Sequence, residues 1–244
     1  MSHLRITITL FVLLVATGIT HAAANNVSFE QGMGFDHARR LPEAVAAFKK
    51  SALAQPAAGT LVNLGIAEWQ CGHAGEAILA WEQARWIDPF DSRAKSNLKF
   101  ARAAAKVDEP QLKWFEVASL WLPPDAWVWL AGTSLCLTVG ALTLPRFFRW
   151  RKTGWQQALA AVGLGIFLTS MTTNIGVVSR TTLGFVLKRN APLLLTPTHT
   201  GEMISTLNAG ESARWLRTRG DYNLIRTANG AGWIARDEFG LVNK

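Results

Sequence analysis

The sequence predicts a multidomain membrane protein: an all-α repeat array, then a transmembrane helical hairpin, then a small all-β barrel. Three observations carry this. The string EAVAAFKKSALAQP at residues 43–56 returns thirty-three residues later as EAILAWEQARWIDP at 76–89. Apolar residues make up 49% of the chain and are gathered into three long runs, which is the pattern of membrane segments rather than of a single core. After about Gly184 the chain changes to short β-type runs separated by turn signals.

The first apolar run, Ile6 to Ile19, follows one arginine and ends at Ala22-Ala23-Ala24. That order of basic, apolar and small residues reads as a secretory signal, residues 1–24, so the segment after it is expected to be exported.

In the repeat, Gly32 aligns with Gly65, Ala44 with Ala77, Phe48 with Trp81, Ser51 with Ala84 and Pro56 with Pro89. Small residues stand where paired helices must touch, an aromatic fills the gap between them, and proline ends each pair. Over residues 27–106 this resembles the tetratricopeptide repeat, with a period of 33 against the usual 34. A third first-helix begins near Asp91, where SNLKFAR echoes VNLGIAE, and it is expected to cap the array. Two and a half repeats fall short of the roughly three such arrays need, so the core is expected to be completed by a partner or by the membrane-proximal helix. The resemblance implies a peptide-binding groove lined by the first helix of each pair. Phe29, Met33, Val62, Asn63, Ile66, Trp69, Arg93 and Asn97 are its candidate residues. Asn63 and Asn97 are the strongest, because an amide side chain offers both a donor and an acceptor to an extended backbone.

QLKWFEVASLWL, residues 111–122, carries tryptophan beside charged residues and is expected to be an interfacial helix, ended by Pro123-Pro124. Residues 126–144 contain no charge, and 158–178 form a second run of similar length, with Thr169, Ser170, Thr172, Thr173 and Asn174 toward its end. Each is long enough to cross a hydrocarbon core of roughly 30 Å. The polar residues are expected to be satisfied within the hairpin rather than to bind an ion. Small residues at every fourth place, Gly132, Cys136 and Gly140 in one run and Ala161 and Gly165 in the other, are expected to form the contact face. The loop at 145–157 holds Arg146, Arg149, Arg151 and Lys152 and no acid, which predicts a cytoplasmic position and puts both outer flanks on the far side of a bacterial inner membrane. Trp114, Trp121, Trp127 and Trp129 are expected at the outer headgroup level, and Trp150 and Trp155 at the inner.

Residues 184–244 contain five β-type runs, FVLKR, PLLL, ARWLRT, YNLIRT and GWIAR, with Asn229-Gly230 as a hairpin signal and TRGDY as a second turn. GDYNLIRTANGAGWI resembles the end of the bacterial SH3-like barrel, which implies binding of peptide or cell-wall polymer. Trp215, Tyr222 and Trp233 are candidates for an aromatic surface there, although Trp233 is read in the first place as core, being a large aromatic in so small a barrel.

The net charge of +8 does not indicate nucleic acid once it is divided. The short basic loop supplies +4, the last 66 residues carry nine bases against five acids, and the rest sums to zero. Cys71 and Cys136 lie in different segments, so no disulfide framework is expected. In QCGHAGEA, Cys71 and His73 are read as belonging to a glycine-rich turn, since no orienting carboxylate stands at useful spacing. No Ser/His/Asp set, paired carboxylates or phosphate loop is present, so a non-enzymatic protein without cofactor or metal is expected.

The order of signal, helical repeats, two spans and SH3-like module resembles the BatE-type proteins of bacterial aerotolerance operons. That resemblance implies a membrane-anchored periplasmic scaffold working in envelope stress beside von Willebrand-A-type membrane proteins and a MoxR-type ATPase. Two alternatives stay open: a peptidoglycan-binding accessory protein acting through the SH3-like module, and a thiol-dependent envelope enzyme using Cys71.

Overall fold

A computed structural model describes residues 27–147 and 154–243 of the 244. The expected signal at 1–24, and residues 148–153 of the basic loop with Trp150, lie outside the described residues.

Five helices open the described chain: α1 at 27–37, α2 (Leu41–Ala54), α3 (Ala58–Gln70), α4 (Ala74–Ile87) and α5 (Ser92–Ala105). The repeated letters become repeated contacts. A methyl placed on Gly32 would lie 2.6 Å from the Phe48 ring, and one on Gly65 would collide with the Trp81 indole in the same way. Each pair therefore closes by seating an aromatic of its second helix on a glycine of its first. Trp81 also donates its N–H to the Val62 carbonyl at 3.1 Å, which satisfies the one polar atom of a buried indole. The turns repeat as well, since Arg39 and Gly72, thirty-three residues apart, both have left-handed backbone with φ of 59° and 84°. Asp91 caps α5, its carboxylate accepting from the N–H groups of Arg93 at 2.8 Å and Ala94 at 3.2 Å.

After α5 the chain runs without regular structure to α6 (Trp114–Ala118) and a single 3₁₀ turn, Ser119–Trp121. The expected helix over 111–122 is thus shortened. The hairpin follows as α7 (Pro124–Phe147) and α8 (Gly154–Arg180), two helices long and apolar enough to cross a bilayer. Helix α7 starts on Pro124, whose missing N–H is no loss in a first turn. Both helices overrun the expected spans and take in the ends of the expected 145–157 loop.

The contact face of the hairpin differs from the expected one. Ser134 and Thr138 on α7 and Ala160, Gly163, Ser170 and Thr173 on α8 are buried, whereas Gly132, Cys136, Ala161 and Gly165 are exposed. A methyl on Gly163 would strike the Thr138 hydroxyl, while one on Gly132 or Gly165 meets nothing within 4 Å. Positions 134 and 138 lie on the opposite side of a 3.6-residue helix from 132, 136 and 140. Ser134, Thr138 and Thr173 can pack there because each returns its O–H to its own helix, as Thr138 does to the Ser134 carbonyl at 2.8 Å, whereas the Ser170 hydroxyl is buried without a partner among the described residues, contrary to expectation. Asn174 donates across the hairpin to the Trp127 carbonyl at 3.3 Å and within α8 to that of Ser170 at 2.8 Å, so this polar group is satisfied internally, as expected. Trp114, Trp121, Trp129 and Trp155 are exposed, but Trp127 is buried and donates to the Ser119 carbonyl at 3.3 Å, which removes it from the expected headgroup set.

The C-terminal module has seven strands: β1 (Leu183–Val186), β2 (Ala191–Leu194), β3 (Met203–Leu207), β4 (Ser212–Arg219), β5 (Tyr222–Thr227), β6 (Gly230–Ala235) and β7 (Phe239–Leu241). They form one antiparallel sheet in the order β3-β2-β6-β5-β4-β1-β7. Ala191, Leu193 and Leu207 from one end share a core with Val186 and Phe239 from the other, so the sheet curls on itself. Five strands were expected. β3, an edge strand with Met203 and Ile204 both exposed, has no clean alternation to reveal it, and β7 is only three residues long. The FVLKR run ends as strand at Val186, and Asn190 turns the chain with φ 54°. The last hairpin sits one residue earlier than its Asn-Gly signal, because Thr227 pairs with Gly230 and leaves Ala228 and Asn229 as the turn.

Helical array and sheet are not separate modules. Leu183, Phe185 and Val242 belong to the same buried cluster as Ile78, Trp81 and Leu98, and Leu112 packs on it. A methyl on Gly75 would lie 2.5 Å from the Val186 carbonyl oxygen and strike that of Leu187. Gln83 donates to the Leu241 carbonyl at 3.1 Å. Helix α4, already packed on α3 and α5, gives its remaining face to β1 and β7. The sheet therefore completes the core that two and a half helix pairs leave unfinished.

Candidate functional site

The expected groove residues divide into three groups. Val62 is fully buried, so it is core and not groove surface. Arg93 is exposed at the start of α5 and pairs with Asp91 at 3.1 Å, a surface ion pair of little energetic weight. Phe29, Met33, Asn63, Ile66, Trp69 and Asn97 are half-buried, on α1, α3 and α5, with part of each left on the surface.

Asn63 donates to the Met33 sulfur at 3.3 Å, which joins α1 to α3. Trp69 meets Trp81 at 6.2 Å on one side and Phe100 edge-on at 5.6 Å on the other. Phe100 is 62% exposed. It was not among the expected residues, although VNLGIAE and SNLKFAR set it opposite Ile66, so the repeat itself held the signal. The face thus combines two amides at matching helical positions with aliphatic and aromatic surface. This suits an extended peptide, whose backbone needs donors and acceptors and whose side chains need apolar contacts.

Trp215, Tyr222 and Trp233 do not form one surface. Trp215 pairs with Ile225 and packs on the central sheet core, whereas Tyr222 and Trp233 are buried with Leu194 on the other side of the sheet. The pleat separates them, since Tyr222 and Leu224 alternate with Ile225 along β5. Tyr222 hydroxyl and His199 Nδ1 are 3.0 Å apart, and the Arg217 guanidinium lies 5.5 Å from the Trp233 ring centre.

The turn holding Cys71 and His73 does have a carboxylate beside it. Glu68 is only 1% exposed, with His73 Nδ1 2.7 Å from one oxygen and Lys49 Nζ 2.5 Å from the other. It was missed because it lies on the preceding turn of α3, inside what reads as an apolar helix. Burial, and then the Glu68 charge, push the Cys71 thiol above its ordinary range against a smaller opposing effect of Lys49. That is the reverse of what a thiolate nucleophile needs. Among the described residues no group of three or more His, Cys, Asp or Glu side chains could hold a metal ion.

A polar junction ties α6, the end of α8 and the sheet together. Glu116 is fully buried and accepts from Ser179 Oγ at 2.5 Å, Arg214 Nη2 at 2.7 Å and the Lys113 backbone N–H at 2.8 Å. Arg214 also donates to the Ser179 carbonyl at 2.9 Å. Burial raises the Glu116 carboxyl, but the Ser179 and Lys113 hydrogen bonds and the Arg214 charge outweigh it and hold the group below the ordinary carboxylate range.

No protein-family model, curated protein or solved structure matches the chain.

Proposed function

We propose that the protein is a membrane-anchored interaction scaffold whose tetratricopeptide-type array receives an extended peptide segment of a partner protein. One observation carries this reading: Asn63 with Ile66 and Asn97 with Phe100 occupy matching places on α3 and α5, half-exposed beside Trp69. The aromatic-on-glycine contacts at a 33-residue spacing support the repeat assignment. The curled sheet beside the array supports an SH3-like module, here serving as a cap on the helices.

The hairpin is the bilayer anchor, and both folded parts lie on one side of it. Their shared core supports this, because two bodies packed on one another cannot face opposite compartments. The acid-free basic loop supports a periplasmic position for both in a bacterial inner membrane. On the resemblance to BatE-type proteins, the partners are von Willebrand-A-type membrane proteins acting in envelope stress tolerance. The fused core gives the groove a fixed orientation to the bilayer, so partner segments are received at a set height above the membrane.

The test is affinity capture of the detergent-solubilised protein, comparing wild type with Asn63→Ala/Asn97→Ala and with Phe100→Ala. Two hydrogen bonds at about 1 kcal/mol each predict a loss of affinity of at least tenfold in the double variant. Undiminished capture by a folded double variant refutes the groove.

A further inference from the structure

A cavity of about 320 Å³ lies where α4, α5, the segment before α6 and the end of α8 meet. Three guanidiniums line it, those of Arg85, Arg102 and Arg180, facing one buried carboxylate, Glu82. Glu82 Oε1 is already taken by Arg102 Nη2, with Arg85 Nη1 at 3.4 Å from the same atom. Glu109 stands 3.7 Å from Arg102 but is 82% exposed, so water screens it.

Arg180 is 6% exposed and has no carboxylate within ion-pair distance among the described residues. Of its five N–H groups, one goes to Ser119 Oγ at 3.1 Å, and the guanidinium lies 4.8 Å from the Trp86 ring centre. Its Nε, and that of Arg102, are buried without a hydrogen-bond partner among the described residues. Buried cations in excess of anions, with orphaned donors beside a cavity, are costly unless a further anion completes them.

The position indicates the source of that anion. Helix α8 has 27 residues, about 40 Å at 1.5 Å each, against a hydrocarbon core of roughly 30 Å. With Trp155 at one boundary, the last turns, Arg180 included, stand in the opposite headgroup layer. The apolar part of the lining includes Val117 and Leu120, on the same segment as the exposed Trp114 and Trp121. We propose that this cavity binds the phosphate group of an anionic phospholipid, with Arg180 and Arg85 as its principal ligands and Val117 and Leu120 against the glycerol and upper acyl region. The assignment rests on the reading of the hairpin as a bilayer anchor.

The test uses the full chain in nonionic detergent, with binding read by native mass spectrometry and by thermal unfolding. The probes are phosphatidylglycerol, phosphatidylcholine, inorganic phosphate and an acidic peptide. Phosphatidylglycerol is expected to bind and stabilise in preference to phosphatidylcholine, with affinity falling about tenfold in Arg85→Gln and in Arg180→Gln, the loss of one charge-assisted hydrogen bond. Arg85 is the more accessible of the two, so Arg85→Gln decides the matter if Arg180→Gln fails to fold. Equal binding of the two lipids, an unchanged preference in Arg85→Gln, or stabilisation by inorganic phosphate or acidic peptide equal to that by phosphatidylglycerol overturns the assignment. Alkaline carbonate washing of membranes separates the two premises. Release of the chain defeats the anchor reading, whereas retention without lipid preference defeats the cavity proposal alone.

Discussion

Ile78→Ala tests the continuity of the core between helices and sheet. The side chain is fully buried on the face of α4 that meets the sheet, and a methyl on Gly210 would run into its Cδ1. The substitution removes three buried carbons, about 2.4 kcal/mol at roughly 0.8 kcal/mol each, and leaves a cavity whose cost brings the total to about 3 kcal/mol. At 1.4 kcal/mol per tenfold, the interface should open on the order of a hundred times more often. The assay is amide hydrogen exchange on the full chain in detergent. Exchange should accelerate not only in α4 but around β1 and β7, at amides just past each strand: Leu187, bonded to the Glu238 carbonyl at 2.8 Å, and Val242, bonded to that of Leu183 at 3.1 Å. Ile234→Ala, in the separate core inside the sheet, is the control and should loosen the strands while leaving α4 protected. Faster exchange in α4 with β1 and β7 unchanged would show that the two parts fold independently, and the shared core would be refuted.

Glu116→Gln keeps the shape of the junction but leaves Arg214 without its carboxylate, which should cost about 3 kcal/mol, the low end for a broken buried pair because Arg214 is partly exposed. Since the folded-state carboxyl titrates below its ordinary range, its contribution is complete above the unfolded-state pKa and is lost as pH falls through the folded-state value, so melting curves of wild type and Glu116→Gln should converge at acid pH. A constant gap between them down to low pH contradicts the assignment. Gly163→Ala should destabilise the hairpin by about 1–3 kcal/mol through overpacking against Thr138, whereas Gly165→Ala, facing open space, should be neutral or slightly stabilising in the same thermal assay. Alkylation of Cys71 followed against pH should show a midpoint above that of free cysteine, and a midpoint below it would favour the thiol-enzyme reading.

The helix pairs were legible because a repeat writes its packing twice. Phe48 over Gly32 is ambiguous alone, but Trp81 over Gly65 makes the pairing a rule, and the same register could have yielded Phe100 from Ile66. The hairpin was legible as two long apolar helices but not in its contact face, because Ser134 and Thr138 do not belong to the every-fourth-residue pattern of Gly132, Cys136 and Gly140. A hydroxyl that returns to its own helix is as compact a surface as a methyl group. Glu68, Glu116 and Arg180 were illegible for a common reason. Each is a charged residue inside an amphipathic or apolar stretch, and what makes it buried rather than solvated comes from another element: Lys49 and His73 for Glu68, Arg214 and Ser179 for Glu116, Ser119 and Trp86 for Arg180.

The same long-range contacts bear on how the proposed scaffold would work. Two binding modules on flexible linkers would gain by effective concentration, which depends on linker length. Only two residues separate α8 from β1, Glu116 and Arg214 bind the end of α8 to the sheet, and α4 binds the sheet to α3 and α5. On the proposed function, a partner that prefers one tilt of the hairpin would also prefer one orientation of the groove, because α4, the sheet and the Glu116–Arg214 pair join the two. Coupling between the proposed anchor and the proposed groove would then be a matter of differential affinity for whole-body arrangements, and any substitution that loosens the junction should weaken it, even one outside both sites.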